Sequence, residues 1–120
     1  MDQEVSAKLE LADFEAALNS EFQMQLAPEA IEGSNTLVEA HDEQIAPTLP
    51  IVLTKCAVKL SNSMQECFSL VFQAPTTAPP IQGMYRLLHP VIGPADIFLV
   101  PFKKTEDGLY YEAIFNRLLI

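Results

Sequence analysis

Apolar residues recur at every second position through much of this chain, in short runs broken by proline, glycine and polar clusters. A period of two belongs to half-buried strands rather than helices. The clearest runs lie in the last third. In GMYRLLHP, 83–90, Tyr85, Leu87 and His89 fall on one face and Met84, Arg86 and Leu88 on the other. DIFLVPF, 96–102, is apolar almost throughout, which predicts a strand buried on both faces or nearly so. LYYEAIFN, 109–116, pairs back after the loop KKTEDG, whose Asp107-Gly108 is a strong hairpin signal. Between the first two runs Pro90 ends a strand, and Gly93 can supply a positive φ for the turn.

The middle of the chain continues the pattern. IVLTKCAVKL, 51–60, predicts a strand with Val52, Cys56, Val58 and Leu60 on one face and Lys55 and Lys59 on the other. The polar SNSMQE turn leads into 66–75, where Phe68, Leu70 and Phe72 alternate with Ser69 and Gln73. PTTAPP, 75–80, predicts a stiff loop, because proline has no N–H to give to a ladder. Near the start, 21–27 alternates Phe22, Met24 and Leu26 with polar residues. Residues 9–22 carry Phe14, Leu18 and Phe22 at a spacing of four, which predicts a short amphipathic helix. Asp13 fits its N-cap and Asn19-Ser20 its stop. Residues 28–50 are bracketed by Pro28 and Pro50, hold five acids and no base, and read as an acidic excursion on the surface. Together these elements predict a mostly β fold: a five- or six-stranded antiparallel barrel, closed or nearly so, plugged by one short N-terminal α-helix. Residues 1–120 form a single domain, with 117–120 as an apolar tail.

Charge adds an asymmetry. The net charge is −9, yet residues 1–50 hold eleven of the sixteen acids and one base, while 51–120 hold five acids and six bases. The expected barrel is therefore nearly neutral. So acidic a chain repels phosphate backbones, which argues against nucleic acid as a partner. An acidic face serves either solubility or a basic partner, and solubility is the commoner use. No apolar run reaches the roughly 18 residues that span a bilayer, and the acidic start has no cationic leader, so a cytoplasmic protein is expected. The two cysteines, Cys56 and Cys67, show no metal-binding spacing. On neighbouring strands they could approach each other, but a reducing cytosol favours free thiols.

The strand motifs also carry a resemblance. Cys67-Phe68-Ser69-Leu70-Val71-Phe72, Gln82-Gly83-Met84-Tyr85-Arg86-Leu87, His89-Pro90 with Gly93, Phe98-Leu99-Val100-Pro101 and Tyr111-Glu112-Ala113-Ile114-Phe115-Asn116 resemble a small bacterial family of unknown function. The opening Leu9, Asp13, Phe14 and Phe22 is similar too, with Asn19 where that family commonly has glycine. The resemblance covers most of the chain outside 28–50. Members are often encoded beside phage tail-collar fibre proteins of the microcystin-dependent type, which implies an accessory or assembly role. The longer acidic 28–50 segment and the terminal RLLI depart from the family pattern.

Candidate chemistry is sparse. His89 could serve as a general base or ligand if folding brought Asp96, Glu112 or Tyr85 beside it. The simpler reading has it bonding backbone at the turn before Pro90. His41, among Glu39, Asp42 and Glu43, could hold a metal weakly, although such runs are more often solvated. There is no GxSxG elbow and no glycine-rich phosphate loop. Tyr85, Tyr110 and Tyr111 with Phe98, Phe102 and Phe115 could line a cavity, but at strand spacing they fit a plain core better. Glu112 either faces solvent or meets Arg86 across the sheet. The sequence thus leads to a non-enzymatic interaction or accessory module, without metal or cofactor. Another protein, such as a tail-collar-type fibre protein, or a second copy would be its partner. Glu39, Asp42, Glu43, Leu118, Leu119 and Ile120 are the candidate partner-binding residues. A small-ligand barrel with a pocket at Tyr85, His89 and Glu112 is the alternative, and an enzyme using His89 the third reading.

Overall fold

The computed structural model describes residues 10–26 and 47–118. Within them a single helix, α1 (Leu11–Ala16), precedes six strands: β1 (Glu21–Gln25), β2 (Thr48–Ser61), β3 (Gln65–Ala74), β4 (Gly83–Leu88), β5 (Ala95–Thr105) and β6 (Gly108–Leu118). All pairings are antiparallel, and the strands form a ring in the order β1-β2-β3-β6-β5-β4. The ring is uneven. β3 and β6 run in continuous register from Gln65↔Leu118 to Ala74↔Leu109. The closing seam between β1 and β4 has only Gln23↔Leu88 and Met24↔Leu87.

Alternation explains the core. Phe22 and Met24, Leu70 and Phe72, Tyr85 and Leu87, Ile97 and Leu99, and Tyr111 and Ala113 all point inward and are buried. Phe22 and Phe72 meet edge to face at 5.3 Å across the interior. β2 departs from the expected parity. Ile51 and Leu53 are its buried residues, and Val52 points away from the core. A bulge between Leu53 and Lys55 then inserts Thr54, so that Cys56 returns to the inner side opposite Leu70. An extra residue inverts the sequence period locally, which is why alternation alone assigned the face wrongly.

β2 also begins earlier than expected. Thr48, Leu49 and Pro50 pair with β1, so the end of the anticipated acidic excursion is strand. The rest of that excursion, including Glu39, His41, Asp42 and Glu43, lies outside the described residues, as do Leu119 and Ile120. Arg117 and Leu118 prolong β6 in register with Glu66 and Gln65.

α1 is shorter than the sequence suggested. Glu10 occupies the N-cap, and Asp13 stands at the third helical position, where its carboxylate accepts the Glu10 N–H at 2.9 Å. Asn19 ends the segment in the left-handed region, φ 68°, a conformation asparagine tolerates better than most residues. Phe14 is fully buried, 6.2 Å from Phe68 and 5.4 Å from Phe115, while those two rings stack at 5.0 Å. The helix is thereby pinned to the ribbon formed by β3 and β6. Leu18, expected on the same apolar stripe, is 40% exposed because the helix ends before it.

Two turns need glycine. Gly93 has φ 81°, and its N–H donates to the His89 carbonyl at 2.8 Å. Gly108 has φ 152°, and a Cβ there would lie 2.3 Å from the Ala74 carbonyl oxygen. Pro101 lies within β5, where the register shifts between Pro101 and Lys103. A bulge is one of the few sheet positions that accept proline.

Candidate functional site

Three places in the fold concentrate unusual side chains: the His89 turn, the paired tyrosines inside the ring, and the outer surface of β4–β6.

His89 follows β4, and its ring packs on Phe22 with centroids 4.4 Å apart. Its Nδ1 accepts the N–H groups of Val91 at 3.1 Å and Ile92 at 3.2 Å. That arrangement places the ring proton on Nε2, which donates to Ser20 Oγ at 2.9 Å. Ser20 in turn donates to the Ala17 carbonyl. Burial pushes the His89 pKa down, in keeping with a neutral ring. Both nitrogens are committed to holding the 89–93 turn and the α1–β1 junction together, so no lone pair is left to take a proton from a substrate.

Tyr85 and Tyr111 face each other inside the ring at 5.9 Å. Tyr85 donates its hydroxyl to the Ile81 carbonyl at 2.6 Å, and Tyr111 donates to the Pro79 carbonyl. Burial raises both pKa values; for Tyr111 the neighbouring Tyr85 raises it further. The acceptors belong to the proline-rich 75–82 loop, whose Ala78 is buried. The tyrosines therefore tie this loop onto the end of the ring. Glu112 does not join them. It pairs in register with Val71 and Val100 on the face opposite Tyr111, so the expected trio of Tyr85, His89 and Glu112 is split between inside and outside. Arg86 pairs instead with Asp96, Nε to Oδ1 3.3 Å.

Cys56 and Cys67 are both free thiols. The register sets them on opposite faces, Cys56 beside Leu70 and Cys67 beside Leu60, so they cannot pair as neighbouring strands might allow. Burial, then the negative charge of Glu15, raises the Cys56 pKa. Among the described residues no group of three or more His, Cys, Asp and Glu side chains could hold a metal ion. Likewise no helix there is long and apolar enough to cross a membrane.

The outer surface is what alternation misjudged most. β5 is not buried on both faces: Ile97 and Leu99 are inside, whereas Phe98 is 47% and Phe102 51% exposed. Met84 pairs with Phe98 in register, and Ile114 pairs with Ser69, which pairs with Ala57. Phe98 and Ile114 each lie two residues beyond the Val100↔Glu112 pair, on the same face. Met84 and Phe98 thus sit side by side on the outside of β4 and β5, and Ile114 is outward on β6, whereas Ser69, next across β3, is buried. The signal was present in the sequence as apolar residues at both parities of 96–102. A second buried face and an exposed one give the same pattern.

A family model described as Domain of unknown function (DUF6916) matches residues 9–115. The chain belongs to this family. The matched span takes in α1 and nearly all of the ring, so the DUF6916 domain and the six-stranded fold are the same unit. Neither the curated proteins nor the solved structures contain a match to the chain.

Proposed function

We propose that this DUF6916 protein is a non-enzymatic interaction module that works through the outside of its ring. The observation that carries this reading is the set of exposed apolar side chains on the outside of β4–β6: Met84, Phe98 and Ile114, 62%, 47% and 54% exposed. Soluble domains seldom leave contiguous apolar surface open unless something binds there. The inside argues the same way. Phe22, Phe72 and Tyr111 fill it, and the tyrosine hydroxyls a ligand would use are bonded to Ile81 and Pro79. That weighs against a small-ligand barrel, as the committed nitrogens of His89 weigh against an enzyme.

The larger assembly suggested by the resemblance is a tail-collar-type fibre system, with this chain as its accessory protein. The test is direct. Purified chain is mixed with a tail-collar-type fibre protein from the same cell and followed by light scattering. A complex that is lost on Phe98→Lys supports the proposal. No complex at concentrations of about 100 μM, far above the Kd of an ordinary specific contact, removes the fibre assignment.

A further inference from the structure

We infer that two copies of this chain join edge to edge, β6 against β6, over residues 114–118. This goes beyond the reading of β4–β6 as a binding face, because it rests on backbone pairing rather than on outward side chains.

The register leaves that edge open. β2, β3 and β6 run past the ring as a three-stranded ribbon, in which Val58, Phe68 and Phe115 form one cross-strand row and Ser61, Glu66 and Arg117 another. β5 leaves β6 beyond the Val100↔Glu112 pair, and its first residues, 95–99, pair with β4 alone. β1 reaches only to Val52 of β2. Among the described residues, then, no strand pairs with the outer margin of β2 from residue 54 on, or with that of β6 from residue 113 on. A strand edge offers a row of backbone N–H and C=O groups, and another extended chain satisfies them best.

The two margins are not alike. β2 carries exposed Lys55 and Lys59 and two bulges, between Leu53 and Lys55 and between Val58 and Leu60. Such charges and bulges keep a further strand away. β6 has neither, since its ladder with β3 is regular to Leu118. The single charge of 114–118, Arg117, is held by Glu66 at 2.9 Å, and Ile114 and Leu118 are 54% and 69% exposed. Self-pairing also fits residue by residue. Paired residues of an antiparallel ladder share a face, so a twofold axis passes through one residue. For 114–118 that residue is Asn116. Ile114 then lies opposite Leu118 of the second copy, Phe115 opposite its Arg117, and Asn116 opposite Asn116. The Asn116 Oδ1 already accepts Gln65 Nε2 at 2.7 Å, and its NH2 is the donor an opposing asparagine needs. No like charges meet. The same operation about Ala57 of β2 sets Lys55 against Lys59, which is destabilising. At net −9 two copies repel, but eleven of the sixteen acids lie in residues 1–50, and 51–120 hold five acids and six bases. The ribbon is thus where two copies approach at least cost.

So short a ladder makes a weak, reversible dimer. Sedimentation velocity on the full chain, from about 5 μM to 1 mM, should show a mass that climbs from 13.3 kDa towards twice that value. A charge swap tests the register. Ile114→Lys alone and Leu118→Glu alone should each weaken self-association by about tenfold or more, because each sets a charge against an apolar side chain of the other copy. Mixed in equal amounts, the two variants should associate again. The introduced charges then lie opposite each other, and the second Ile114–Leu118 contact is intact. Both positions are exposed, so thermal unfolding should show the fold unharmed. Glu106→Lys, in the β5–β6 turn, should leave association unchanged. A wild-type chain that stays at 13.3 kDa throughout overturns the inference. So does a dimer that survives both single substitutions, or a mixture of the two variants that fails to associate. If the chain stays monomeric yet forms a Phe98-dependent complex with a fibre protein, self-association fails while the interaction reading stands. If it dimerises without a fibre complex, only the fibre assignment fails.

Discussion

At the scale of single residues, two positions carry more structure than their exposure suggests. Gly108 lets the end of β3 approach the β5–β6 turn. Gly108→Ala drives a Cβ to 2.3 Å from the Ala74 carbonyl oxygen and strains a positive φ. Loss of about 2 kcal/mol is expected, visible as a lower urea midpoint with an unchanged slope. His89 acts through its acceptor nitrogen. Burial holds its folded pKa below the unfolded value of about 6.5, so the folded state binds fewer protons than the unfolded state. Its contribution is complete above that pH and declines as pH falls through the lower folded value. A thermal midpoint that drops between pH 7 and 5 follows. His89→Asn keeps an acceptor for Val91 and Ile92 but cannot titrate, so its midpoint should drop less over the same range. Equal drops would show that His89 is not the group responsible.

At the scale of elements, α1 is held chiefly by Phe14, with Leu11 also packed against the core. Six residues are too few for a helix to persist alone in water. Phe14, wedged against Phe68 and Phe115, supplies the tertiary contact. Phe14→Ala should cost about 3–4 kcal/mol by denaturant titration and leave the β signal in circular dichroism largely intact. The strands were legible because alternation survives wherever the ladder is regular, as in β3, where Phe68, Leu70 and Phe72 are all inside. It failed at the β2 bulge. There the reading of Val52 as a core residue gave way to Ile51 and Leu53. Helix length was overestimated for a related reason. The Phe14–Leu18–Phe22 spacing is shared by a helix, a turn and a strand, each of which accounts for part of it.

At the scale of the whole molecule, the ring is closed by unequal seams. Two register pairs hold β1 to β4, against ten between β3 and β6. Local opening follows the least-paired boundary. Amide exchange at Gln23, Met24, Leu87 and Leu88 should therefore be faster than at Ser69–Phe72; the reverse order would contradict the described topology. The opposite end is latched by Tyr111 and Tyr85 onto the 75–82 loop. Tyr111→Phe leaves the Pro79 carbonyl without its donor and should lower stability by about 1–2 kcal/mol. The candidate site became visible only at this scale. Met84, Phe98 and Ile114 are far apart in sequence, and only the folding of three strands puts all of them on the outside.

What the amino-acid order determined by itself was the class of fold. Period-two hydrophobicity, Asp107-Gly108, Gly93 and the proline loop specify antiparallel strands and their turns, because backbone sterics and side-chain alternation act over a few residues. Tertiary structure alone decided which face of each strand is inside and where the ring is weakly shut. It also decided that His89 serves the backbone, and that Met84, Phe98 and Ile114 face outward. Those outcomes depend on bulges and on cross-strand register, which are set by contacts between residues tens of positions apart.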